Sequence, residues 1–248
     1  MNTDLFQSSD LPAGQPGDAA PEKEPPAPDN RSLEERILGG LDAEQREVAS
    51  TLQGPMCVLA GAGTGKTRAI THRIAYGVHS GVYSPQRLLA VTFTARAAAE
   101  MRSRLRDLGV GNVQARTFHA AALRQLQFFW PQAVGGVLPN LLDHKAQMIA
   151  EAARRLRLST DRASIRDLAS EIEWAKVSML TPANYLEKAQ GRGTPGGFDL
   201  TAVARVFQSY EDVKTDRNVI DFEDVLLITV GILQEDPKVA ATVREQYR

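Results

Sequence analysis

Cysteine is almost missing from this chain: Cys57 is the only one in 248 residues, so an internal disulfide is impossible and a cysteine-built zinc site is excluded. Long apolar runs are missing as well. Nothing approaches the ~18 to 20 consecutive apolar residues of a spanning helix, and the opening MNTDLFQSSD has neither the basic patch nor the apolar stretch of a secretory leader. Net charge is nearly absent, at -1. These absences lead to the expectation of a soluble, cytoplasmic protein with no membrane partner. With 43% of residues in the hydrophobic set there is material for a core, in one large or two small domains. Cys57, inside the apolar run MCVLA, is expected as a buried small hydrophobe.

The near-zero charge conceals a split. Residues 1–30 carry six acids against Lys23 alone, a net -5, which leaves the other 218 residues at +4. The same segment holds six of the 13 prolines and one aromatic, so ordering it would cost more than its burial returns. Residues 1–32 therefore read as a disordered, acidic, Pro-rich tail, with order expected from Ser32 or Leu33 onward.

LEERILGG has a short helical pattern, and LDAEQREVAS follows with Asp42 as N-cap and Gln45 at the spacing of a capping box. Beyond Gly54-Pro55, MCVLA reads as a buried parallel strand, GAGTGKT as a Gly-rich loop and RAITHRIAYGVHSG as a helix. RLLAVTFT with ARAAAEMRSRLRDLG, then NVQARTF with HAAALRQLQFF, repeat the strand-then-helix order. Three such units specify an α/β fold with a mainly parallel sheet. After Trp130-Pro131 the periods are helical and no strand is evident up to about Asp216, which points to a separate helical subdomain. The last stretch is helical again, with Pro237 near a helix start.

AGAGTGKT, Ala60 to Thr67, is the strongest chemical signal. Successive backbone N–H groups and a helix N-terminus make a concave anion site, and Gly61, Gly63 and Gly65 keep side chains out of it. Lys66 supplies a positive charge for β and γ phosphates, and the Thr67 hydroxyl a ligand for Mg²⁺. Ala60 stands where the general pattern has glycine. Its small side chain is compatible with the turn.

Taken in order, LDAEQ around Gln45, AGAGTGKT, VTFTARAAAEMRSRL (Val91 to Leu105), TFHA (Thr117 to Ala120) and IDFEDVL (Ile220 to Leu226) resemble the Q motif, motifs I, Ia and Ib, and a later segment of the UvrD/PcrA/Rep-type superfamily 1 DNA helicases. GAGTGKTRAITHRIA and EIEWAK look most like an actinobacterial branch of that family. The resemblance covers about residues 40–248. It implies a RecA-like P-loop NTPase domain (domain 1A) over 33–130 and 217–248, with an inserted helical subdomain (domain 1B) over 131–216.

It also implies roles. Gln45 would read the adenine edge; Ala60, Gly61, Ala62, Gly63, Thr64, Gly65, Lys66 and Thr67 would hold ATP, with Lys66 and Thr67 at the reacting phosphate and Mg²⁺. Thr92, Phe93, Thr94, Thr117, Phe118 and His119 would touch single-stranded DNA, near duplex–single-strand junctions. Without that context Phe93 and Phe118 could equally be core. An arginine excess of four between Val91 and Trp130 agrees modestly with DNA binding. Arg154, Arg155 and Arg157 could meet duplex or simply form a solvated helix face, and Trp174 reads as core. His72, His79 and His144 have no partner pattern and read as ordinary surface or interface residues.

Hydrolysis needs a Walker-B acid to hold Mg²⁺, and the dipeptide Asp-Glu occurs nowhere in the chain. Asp221, in VIDFED, has too short an apolar run before it. The chain thus reads as an amino-terminal part of an ATP-dependent motor, expected to show weak or no turnover alone because the Mg²⁺-holding acid is not in it; the alternatives are a nucleotide-responsive DNA-binding module without catalysis or, more weakly, a P-loop kinase or GTPase.

Overall fold

The computed structural model describes residues 31–247, so all but the last two residues of the expected acidic tail lie outside the described part. In chain order the elements are α1 (Leu33–Leu38), α2 (Ala43–Ser50), α3 (Lys66–His79), β1 (Leu89–Thr92), α4 (Ala95–Asp107), β2 (Gln114–Thr117), α5 (Phe118–Ala133), β3 (Asn140–Leu141), α6 (Lys145–Arg155), α7 (Arg162–Val177), α8 (Pro182–Lys188), α9 (Leu200–Asp216), β4 (Val219–Ile220), α10 (Phe222–Glu235) and α11 (Pro237–Gln246). It is an α/β arrangement with small parallel sheets. No described helix is long and apolar enough to cross a membrane.

Most helices start where a short polar side chain can take an orphan backbone N–H. Ser32 accepts from Glu35 N at 3.1 Å and Glu35 returns to Ser32 N at 2.9 Å, a closed capping box. Asp42, Asp161 and Asp199 each accept from the N–H three residues on at 2.7 Å. α5 runs through Pro131, beyond the expected break at Trp130; the proline gives up one ladder bond, and only two helical residues follow it.

β1 and β2 pair in parallel, Leu89 opposite Gln114 and Thr92 opposite Thr117, with α4 as the crossover between them. Their buried alanines, Ala90 and Ala115, join Ile74, Met101 and Leu105 in one core with α1 and α2. A second core belongs to α6, α7, α8 and α9, built around Ile149, Leu168, Tyr185, Phe207 and Tyr210. A third packs α5 against β4 and α10 through Leu126, Trp130, Ile220 and Val225. β3 lies beside β4 in parallel, so the chain enters and leaves the helical layer through neighbouring strands. That pairing of two-residue strands has no counterpart in the sequence pattern.

The third expected strand does not form. MCVLA forms no strand and pairs with nothing among the described residues, and Leu59 is 93% exposed. Cys57 is exposed with it, against the expectation of burial. A parallel strand needs a neighbour along its edge and a layer over its face, and β1 and β2 pair only with each other.

One glycine fixes how this segment is approached. Gly77 sits inside α3, where a Cβ would lie 2.1 Å from the Tyr83 ring, and Tyr83 donates its hydroxyl to Leu52 O just ahead of the segment. Gly77→Ala gains helix propensity of roughly 1 kcal/mol but drives the ring from its seat, for an expected net loss of about 1–3 kcal/mol. Urea unfolding checks this; a stabilised variant would show that Tyr83 moves freely.

Candidate functional site

The loop from Ala60 to Gly65 reaches the start of α3 through two left-handed glycines, Gly63 at φ +78° and Gly65 at φ +82°. Gly65 is the N-cap of α3 and offers no side chain to the first-turn amides, unlike the capped starts of α1, α2, α4 and α5. Those amides point into the loop with the positive end of a 14-residue helix behind them. A Cβ on Gly65 would come 2.5 Å from Gln45 Nε2. The left-handed conformation calls for glycine, and a Cβ there would also push the Gln45 amide from its place.

Gln45 contacts both the start of α2 and the Gly-rich loop. Its backbone N–H donates to Asp42, but its side chain does not close the capping box. Gln45 Nε2 donates instead to Thr64 O at 3.0 Å, which lays the amide against the Gly-rich loop. Lys66 Nζ folds back onto the loop's own carbonyls, Ala60 O at 2.9 Å and Gly61 O. Thr64 Oγ1 also donates to Gly61 O, at 2.9 Å. Thr67 is half-buried on the first turn of α3, one residue beyond Lys66. A donor-rich helix start, an ammonium and an adjacent hydroxyl suit a polyphosphate carrying Mg²⁺.

A second set of expected residues gathers where β1 and β2 end. Because Thr92 is paired with Thr117, the segments after them emerge side by side at the carboxyl edge of the sheet. Phe93 is 88% and Phe118 42% exposed, and their rings sit 5.3 Å apart. Core burial is therefore excluded for both. Thr94 and Thr117 cap α4 and α5, accepting from Ala97 N and Ala120 N at 3.1 Å, which leaves each hydroxyl proton free to donate outward.

Two residues of this surface show roles not read from sequence. The His119 and Phe222 rings pack against each other at a tilt of 36°, with ring centroids 4.6 Å apart, and Phe222 is half-exposed. The available signal was a large aromatic at the first position of a helix right after a buried cap. The six arginines of the region divide: Arg102 donates to Ala115 O at 2.6 Å and Arg104 pairs with Glu100, so both serve the fold. In the helical layer Arg155 pairs with Asp216 at 2.7 Å and Glu151 at 3.0 Å, which favours the solvated-face reading of that cluster. Trp174 packs on the helical core with Arg192 stacked 3.6 Å from its ring centre. His79 Nε2 meets Leu108 O at 2.8 Å and His72 reaches Ile37 O, both structural contacts between α3 and its neighbours.

Asp221 belongs to neither site. It is fully buried as the N-cap of α10. Burial would push its carboxyl up, but the Lys214 and Lys176 ammonium groups overcome this and hold it well below the usual carboxylate range. Glu211, Asp221 and Asp224 converge closely enough to suggest a metal, yet the two lysines already supply the positive charge there.

The sequence profile of the UvrD/REP helicase N-terminal domain matches residues 41–248. The chain is 46% identical over 223 residues to the ATP-dependent DNA helicase UvrD2 of Mycobacterium tuberculosis, covering 86% of this chain and 32% of that protein. It is 34% identical over 221 residues to the ATP-dependent DNA helicase PcrA of Leuconostoc citreum, covering 86% of this chain and 28% of that protein. With the M. tuberculosis ATP-dependent DNA helicase UvrD1 it shares 33% identity over 241 residues, 92% of this chain and 30% of that protein. The chain thus spans about a third of the length of these relatives.

Proposed function

Since the chain belongs to the UvrD/REP helicase family and carries its N-terminal domain, we propose that it forms the nucleotide-binding and strand-gripping part of an ATP-dependent DNA helicase or translocase moving 3′ to 5′. The α/β part, with α10 and α11, corresponds to domain 1A, and the layer of α6 to α9 to the inserted domain 1B. The side-by-side entry and exit strands β3 and β4 support an insertion.

In this reading the α3 amides and Lys66 hold the phosphates of ATP, while Gln45, braced on Thr64 O, recognises the adenine edge. Thr67 directs its hydroxyl to Mg²⁺. Mg²⁺, when bound, neutralises charge on the terminal phosphates. Lys66 must leave the carbonyls of Ala60 and Gly61 to meet phosphate oxygens, so nucleotide binding rearranges the loop. Asp221, clamped by two lysines, is not free to serve Mg²⁺, and the chain by itself is proposed to bind ATP without appreciable turnover.

The observation that carries the DNA half is the exposed Phe93–Phe118 pair beside two helix N-termini at the carboxyl edge of a parallel sheet. In open α/β folds that edge is where ligands bind. Phenyl faces stack on any base, and helix-start amides with the Thr94 and Thr117 hydroxyls suit phosphates. Such a surface selects single strands, whose bases are free to stack, at or beside duplex junctions.

Phe93→Ala should weaken binding of an oligo-dT strand about five- to a hundredfold, the equivalent of ~1–3 kcal/mol for one lost stacking platform. Fluorescence anisotropy at fixed salt measures it. An unchanged affinity would remove the aromatic pair from the strand path.

A further inference from the structure

Lys176 and Lys214 come from different helices, α7 and α9, yet both are 3% exposed and reach the same two carboxylates. Lys176 Nζ donates to Asp221 at 2.7 Å and to Asp224; Lys214 Nζ donates to Asp221 at 3.1 Å and to Asp224. Tyr210 adds its hydroxyl to Asp221 Oδ2 at 2.9 Å, and Glu211 accepts from Lys176 at 3.2 Å. Asp221 and Asp224 are at the same time the reciprocal capping box of α10, with Asp224 N to Asp221 at 2.9 Å and Asp221 N to Asp224 at 3.0 Å.

A helix start does not need ammonium groups to be capped: at α4 and α5 the Thr94 and Thr117 hydroxyls accept from Ala97 N and Ala120 N. Burying four or five charges is also no efficient route to stability, since well-packed apolar side chains do as well. What the arrangement does achieve is geometric. Phe222 is the first residue of α10, directly after Asp221, and its ring packs in tilted contact on His119, next in sequence to Phe118. The helical layer therefore grips the backbone on which an exposed aromatic of the other layer is mounted.

We propose that Lys176 and Lys214 are positioning residues for the single-strand surface, fixing the start of α10 so that the Phe222 ring stays packed against His119 and available to a base. The proposal rests on the strand-gripping function above. It makes base stacking dependent on where the helical layer sits, because any displacement of α7 or α9 pulls on Asp221 and Asp224.

The test uses the full chain with labelled oligo-dT and an abasic strand of equal length, in anisotropy titrations. Lys176→Met is expected to weaken oligo-dT binding three- to tenfold, to leave the abasic strand unaffected, and to add nothing when Phe222→Ala is already present. Tyr210→Phe, which keeps both ammonium groups and the ring, is expected to shift oligo-dT binding two- to threefold in the same base-dependent way. It carries the test by itself if circular dichroism shows Lys176→Met to be unfolded. Equal losses for the two strands, full additivity with Phe222→Ala, or no base-dependent loss in a folded variant would overturn the proposal. If Phe222→Ala weakens oligo-dT binding while neither positioning variant does, only the positioning role falls. A wild-type chain that binds oligo-dT no better than the abasic strand would bring down the strand-gripping function with it.

Discussion

Lys66→Ala is expected to weaken Mg²⁺–ATP binding by roughly ten- to a hundredfold while leaving AMP binding nearly unchanged. Lys66 Nζ rests on two neutral carbonyl oxygens, Ala60 O and Gly61 O, at the open end of the loop. Exchanging them for phosphate oxygens replaces neutral acceptors with charged ones, and a hydrogen bond to a charged group is worth about 1.5–3 kcal/mol. AMP lacks the β and γ phosphates that Lys66 is placed to reach, so the loss should grow from AMP through ADP to ATP. Calorimetric titration of the three nucleotides reads this gradient. A uniform loss would mean that the lysine holds the loop's shape rather than the phosphates. Thermal stability should scarcely change, because both carbonyls lie on exposed backbone that water can satisfy.

Much of this site was legible because glycine, lysine and threonine act there through backbone geometry that sequence spacing records directly. The caps at Ser32, Asp42, Thr94 and Thr117 were open to the same logic, as were β1 and β2, whose pairing follows from an intervening helix. MCVLA failed for a physical reason. An apolar run states what a segment would bury if a neighbour were present, and no described strand lies next to it. β3 and β4 are two residues each, too short to have a period. The charge cluster was hidden by distance in sequence, since Lys176 and Asp221 are 45 residues apart. A local signal did exist: Lys176 continues the buried stripe of Leu168 and Ile172 at four-residue steps, and Lys214 that of Val206 and Tyr210. A lysine in step with an apolar stripe either snorkels to water or, when buried as here, needs an acid brought to it from elsewhere in the chain.

That acid is where the largest loss of stability is expected. Asp221→Ala should cost about 3–5 kcal/mol, the usual penalty for leaving a buried ion pair with one partner, and lower Tm by roughly 6–20 °C for a domain of this size. Asp221→Asn separates two contributions, since asparagine caps a helix about as well as aspartate but carries no charge. If the charge dominates, Asn should lose nearly as much as Ala; if the cap dominates, Asn should approach wild type. The pH dependence follows from the same cluster. Asp221 is held below its ordinary value, so its contribution is complete above about pH 4 and is lost as pH falls toward its folded pKa. Lys176 is displaced the other way: burial would lower it, but Asp221, Glu211 and Asp224 raise it above the ordinary lysine value, so its contribution is complete below about pH 10 and lost as pH rises through its folded pKa. The cluster should therefore add a constant increment between about pH 5 and 10, and the wild-type minus Asp221→Asn difference in Tm should be flat across that range and shrink below pH 4. A difference that varies strongly near neutrality would show that Asp221 and Lys176 are not charged together, and the ion-pair account of how the helical layer holds α10 would have to be given up.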